Sequence, residues 1–89
     1  MVSKKRLISM SEFKVLEAID LYGEELSVEK ISRKIGVFVS YAYQCVKRLE
    51  SMGLIETRQE NKKIKRRFLT KKGREVLKYY KKIKEILGG

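Results

Sequence analysis

At Gly53 the hydrophobic period of this 89-residue chain changes. Upstream, apolar residues recur at spacings of three and four, the repeat of helices that bury one stripe. Downstream, Leu54-Ile55-Glu56-Thr57-Arg58-Gln59 roughly alternates apolar and polar residues and is β-branched at Ile55 and Thr57, the pattern of a strand. Glu60-Asn61-Lys62-Lys63 is a polar turn, and Ile64 to Thr70 returns as a second strand. Asn61 alone in the turn favours left-handed backbone and no Gly follows it, so the turn is predicted to exceed two residues. From Lys71 the helical period resumes to about Leu87. A lone two-stranded hairpin is marginal in water. This one must therefore rest on the helices, through Leu54, Ile55 and Leu69, with Phe68 a further candidate. Phe68 and Leu69 are adjacent and cannot both face inward, and Arg67 shares Leu69's face. The class is mainly α with a small β-hairpin.

The upstream half reads as three helices. The first runs from about Ser11, its predicted N-cap, to Tyr22, with Val15, Leu16, Ile19 and Tyr22 as the buried stripe and Gly23 as its end. Ser27 caps a second, from Val28 to about Lys34, and Gly36 then permits a tight turn. Val37-Phe38-Val39 leads into the third, for which Ser40 is the expected N-cap and Val39 the hydrophobic staple. Ala42, Val46 and Leu49, with Cys45 and Met52, form its buried side, and Gly53 stops it. Two helices joined by a short Gly-containing turn make a helix-turn-helix. Ser40, Gln44, Lys47 and Ser51 fall at i, i+4, i+7 and i+11 along one edge, with Tyr43 nearby. Hydroxyl, amide and ammonium groups without an acid can bond base edges and phosphates. The plainer reading of that edge is a solvated helix face.

Charge favours the first reading. The net charge is +11, and residues 60–89 hold twelve bases against three acids, whereas residues 11–36 hold four bases against six acids. The first ten residues add Lys4, Lys5 and Arg6. A polyanionic partner explains this asymmetry better than solubility does. Several classes are disfavoured. No His is present and Cys45 is the only cysteine, which argues against a zinc site, an internal disulfide or a nucleophile–base pair, so neither a catalytic set nor a metal or cofactor is expected. Cys45 lies on the apolar side of its helix and reads as a small core residue. No stretch approaches a membrane span, and the basic start lacks a signal peptide's apolar middle, which places the protein inside a cell. A single domain is expected: a basic arm (1–10), a core and wing (11–70), and a last helix (71–87) capped by Thr70. Along that helix Val76, Tyr80, Ile83 and Leu87 form a coiled-coil-like seam about two heptads long.

The order helix, helix, helix, strand, turn, strand, helix resembles the winged helix-turn-helix transcriptional regulators, in particular the MarR-type and PadR-type repressors. Three motifs carry the resemblance. Val46-Lys47-Arg48-Leu49-Glu50-Ser51-Met52-Gly53-Leu54-Ile55 looks like a recognition helix entering the first wing strand. Lys65-Arg66-Arg67-Phe68-Leu69-Thr70-Lys71-Lys72-Gly73 is similar to the second wing strand and the start of a dimerisation helix, and Ile31 to Gly36 to the turn. The resemblance implies a homodimeric repressor on double-stranded DNA with one recognition helix in each major groove. It implies that Ser40, Tyr41, Tyr43, Gln44 and Lys47 read bases or line the groove, and that Asn61, Lys62, Lys63, Lys65 and Arg66 form a wing reaching phosphates. Val76, Tyr80, Ile83 and Leu87 become the dimer interface. Tyr41 and Tyr43 depart from the small hydroxyl residues usual there. One short C-terminal helix makes the effector pocket of larger members doubtful. Two other readings stay open: an architectural DNA-binding protein without site preference, and a winged helix that binds an acidic protein.

Overall fold

The computed structural model describes residues 7–23, 26–62 and 65–88. Its elements are α1 (Met10–Tyr22), α2 (Val28–Ile35), α3 (Val39–Ser51), β1 (Ile55–Gln59), β2 (Lys65–Leu69) and α4 (Lys71–Ile86). The expected order is present throughout. Val15, Leu16, Ile31, Leu49 and Leu54 are fully buried, so α1, α2, α3 and the root of the hairpin share one core. Tyr22, expected inside, is exposed at the end of α1, with the Lys34 ammonium 4.0 Å from its ring centre. Among the described residues no helix is long and apolar enough to cross a membrane.

Two helix starts differ from the sequence expectation. α1 is capped by Ser9, not Ser11: Ser9 Oγ accepts the Glu12 N–H at 3.2 Å, and Glu12 Oε1 accepts the Ser9 N–H at 2.7 Å. Ser9 has an acid three residues ahead and so completes a reciprocal capping box, whereas Ser11 would have met Lys14. α3 begins two residues early. Phe38 stands at its N-cap with no side-chain hydrogen bond, and Ser40 sits inside the first turn. Ser27 and Thr70 cap α2 and α4 as expected, accepting from Lys30 and Gly73.

β1 and β2 pair antiparallel, with Ile55 opposite Leu69, Thr57 opposite Arg67 and Gln59 opposite Lys65. Glu60, Asn61 and Lys62 lie outside both strands, so the connection exceeds two residues as the turn chemistry required, while Ile64, the expected start of the second strand, lies outside the described residues. The period of two settles the conflict at Phe68 and Leu69. Ile55, Leu69 and Arg67 lie on the inner face and are buried. Phe68 is half-buried on the outer face, where the Arg58 guanidinium lies 4.6 Å from its ring centre.

The two sequence motifs meet at the hairpin root. α3 ends with Gly53 at φ 76°, its N–H donating to Glu50 O and the Leu54 N–H to Leu49 O, which satisfies the last carbonyls of the helix. The carbonyls of Gly53 and Leu54 then accept from the Thr70 hydroxyl at 2.6 Å and the Thr70 N–H at 3.1 Å. A Cβ at position 73 would stand 2.0 Å from Leu54 O, so the Leu-Thr-x-x-Gly pattern needs its glycine for this close approach. Lys72 Nζ adds a bond to Met52 O at 3.2 Å, a cation at the negative end of α3.

Candidate nucleic-acid interface

α3 presents its edge as the 3.6-residue period requires. Ala42, Cys45, Val46 and Leu49 are buried, whereas Ser40, Gln44, Lys47 and Ser51 are exposed. Tyr41 and Tyr43 are also exposed, so all five expected base-facing residues reach solvent. The backbone N–H groups of the first turn of α3 receive no side-chain cap. They point outward at the positive end of the helix dipole, a favourable place for an anion.

Two polar tethers hold α3 in place. Arg48 Nη1 donates to Glu12 Oε1 at 2.6 Å, joining the buried capping acid of α1 to the middle of α3. The Thr57 hydroxyl donates to Glu50 Oε2, linking α3 to the first wing strand. Both acids are thereby committed to the protein itself, and neither belongs to the Ser40–Gln44–Lys47 edge. The Ser9-x-x-Glu12 spacing was a legible signal for one end of the first tether. Nothing local marks Arg48 as the other end. Burial pushes the Cys45 thiol above its ordinary value of 9.0, with the nearby Glu12 charge acting in the same direction. That is the state of an inert core thiol.

The wing is less uniform than its sequence suggests. Asn61, Lys62 and Lys65 are exposed at or beside the tip. Lys63 lies outside the described residues. Arg66 is half-buried and pairs with Glu60 at 3.1 Å, and Arg58 pairs with Glu56 at 3.2 Å. These acids offset the like charges of Arg58 and Arg66, which stand directly opposite each other in the ladder. Arg67 is 9% exposed, faces the core side, and has a buried Nε with no hydrogen-bond partner among the described residues. It therefore does not extend the run of phosphate-facing bases, although the charge count alone had included it.

The last helix is rotated relative to the expected seam. Tyr80 is 5% exposed, stacks on Phe13 with ring centres 4.0 Å apart, and donates its hydroxyl to Met10 Sδ at 3.0 Å. Leu77 is buried beside it and Val76 is half-buried against the same core. α1 thus occupies the stripe that Tyr80 begins, and Lys81–Asp20 and Lys84–Glu17, each at 3.5 Å, fasten the same contact. Tyr80 is removed as a surface residue. Ile83 and Leu87 stay exposed, and Tyr79 and Ile86 join them.

The model of one protein family, described as sugar-specific transcriptional regulator TrmB, matches residues 8–83, nearly the whole chain. The chain belongs to the TrmB family of transcriptional regulators. Solved structures place this TrmB-family chain among winged-helix proteins. FabT of Streptococcus pneumoniae, determined in complex with DNA, is 24% identical with a TM-score of 0.75, covering 96% of this chain and 60% of its own. The MarR family transcription regulator SP03579 is 17% identical with a TM-score of 0.75, covering 90% of this chain and 55% of its own. AF1382 of Archaeoglobus fulgidus is 23% identical with a TM-score of 0.76, covering 93% of each chain. The TrmB-family chain therefore spans little more than half of FabT and SP03579. No curated protein sequence matches it. The expected MarR-like winged helix is confirmed as a fold, while the PadR half of the resemblance gains no specific support from these matches.

Proposed function

We propose that this chain binds double-stranded DNA sequence-specifically as a homodimeric regulator, acting as a repressor. The observation that carries the reading is the exposed Ser40–Gln44–Lys47 edge of α3, free of acids, on a winged helix of a transcriptional-regulator family. Gln44 can bond adenine through its amide oxygen, accepting from N6, and its amide NH2, donating to N7, and Lys47 can reach guanine or a phosphate. Tyr41 and Tyr43 line the groove, and Asn61, Lys62, Lys63 and Lys65 bring the wing to the adjacent backbone. Arg66, engaged by Glu60, contributes to the field more than to direct contact. The structure of FabT with DNA supports the docking mode, since the two chains share the fold.

A second copy would pack along α4, where Tyr79, Ile83, Ile86 and Leu87 leave an apolar strip exposed. Two recognition helices would then address half-sites roughly 34–36 Å apart. No small-molecule effector is assigned. A transcriptional regulator performs no covalent chemistry, and the protein works where the DNA is.

Selection from a pool of random duplexes, followed by competition binding, tests this. A preferred sequence should emerge, its affinity should fall steeply with salt, and Gln44→Ala should erase the preference while leaving salt-sensitive binding. Equal affinity for random duplex, or binding indifferent to salt, would overturn the reading. A monomer at micromolar concentration would remove its dimeric part.

A further inference from the structure

Phe38 is 86% exposed, the most exposed aromatic among the described residues. It occupies the N-cap of α3, a position that Ser, Thr, Asp or Asn normally fills, and it makes no capping bond there. Ser40, only two residues on, would have served that role had the helix begun at Tyr41. The chain therefore gives up a cap and leaves a phenyl ring in water at the start of its recognition helix. Neither choice helps this domain fold. Among the described residues, Phe38 belongs to none of the packed residues of the core, and no ring or cation contact holds it. Its surroundings are those of the proposed interface: Ser40, Gln44 and Lys47 follow on the same helix, also exposed.

We propose that Phe38 is a specificity-determining contact that packs on the 5-methyl group of thymine in the major groove. The inference rests on the DNA-binding reading above and adds to it which base feature the start of α3 selects. In a helix-turn-helix the N-terminal residues of the second helix are those that reach base edges. The only apolar group a base pair offers in the major groove is the thymine methyl, and Phe is among the side chains that meet it. Gln44 and Lys47 supply hydrogen bonds to other bases, so an apolar contact at the leading end of α3 distinguishes a thymine from the cytosine that an amide or ammonium cannot exclude as well.

The test uses the full chain and the duplex obtained by selection, with each thymine replaced in turn by deoxyuridine. Removing a contacted methyl should weaken binding about fourfold per half-site, from the transfer free energy of roughly one buried methyl group. In Phe38→Ala the same replacement should change nothing, while binding to the unmodified duplex falls about tenfold or more. Because the ring is exposed, the variant should keep its far-ultraviolet dichroism and melting temperature. The uridine scan on the unaltered protein is decisive without any variant. A flat scan, or a uridine loss of equal size in Phe38→Ala, would overturn the thymine contact and leave the DNA-binding reading standing. Failure to obtain any preferred duplex would overturn both.

Discussion

Neutralising Glu12 should loosen α3 from the body of the domain. Glu12 is buried, and one oxygen accepts both the Ser9 N–H at 2.7 Å and Arg48 Nη1 at 2.6 Å. Glu12→Gln keeps the shape and an acceptor but removes the charge. A hydrogen bond to a charged group contributes about 1.5–3 kcal/mol against about 0.5–1.5 kcal/mol for a neutral one, so each bond loses about 1 kcal/mol. The Arg48 side chain is 34% exposed and regains water, which reduces its share. The expected net loss is about 1–2 kcal/mol, or roughly 4–15 °C in melting temperature for a domain of this size. Glu12→Ala removes the acceptor and half the capping box as well and should cost about 2–4 kcal/mol. Urea unfolding of Glu12→Gln, Arg48→Met and the double variant gives the coupling energy directly. A value of about 1 kcal/mol or more is expected. Additive single effects, with coupling below about 0.3 kcal/mol, would refute the tether and leave only a helix cap.

Three further outcomes follow from the packing. Gly73→Ala puts a methyl group into the Leu54 carbonyl and should destabilise by about 3 kcal/mol, read as an unfolding midpoint; a neutral result would mean the hairpin root can shift freely. Cys45 is held protonated in the fold, so its stabilising effect is complete below the ordinary thiol value of 9.0 and declines as pH rises above it. The slope, at most about 1.4 kcal/mol per pH unit, should disappear in Cys45→Ala, and alkylation of the folded protein at neutral pH should be slow. Arg67→Met should raise stability by about 1–2 kcal/mol in thermal unfolding, because a buried guanidinium whose Nε has no partner among the described residues is replaced by an apolar chain; destabilisation would show that Arg67 has a counter-charge.

Much of the fold was legible because its signals are local. The change of period at Gly53, the caps at Ser27 and Thr70, and the stop signals at Gly23, Gly36 and Gly53 each depend on residues within one turn of each other. The exposed edge of α3 followed from helical spacing alone. Its start did not, since Val39 and Ser40 are both acceptable first-turn residues and only the geometry of the turn chooses between them. Phe38 reads in the sequence only as a lead-in to α3, because its exposure depends on where the helix starts.

Tertiary structure decided what pairs across the chain. Arg48 meets Glu12 across 36 residues and Tyr80 meets Met10 across 70, and no periodicity encodes either. A seam at spacings of four and three can face a partner or the chain's own body, and α1 took the part centred on Tyr80. Arg67 counts as one more base in the sequence, but the strand's period of two, anchored by Leu69 in the core, turns it inward. Sequence sets which faces each element has. Which neighbour covers a face is a competition among all of them, and it is resolved only when they pack.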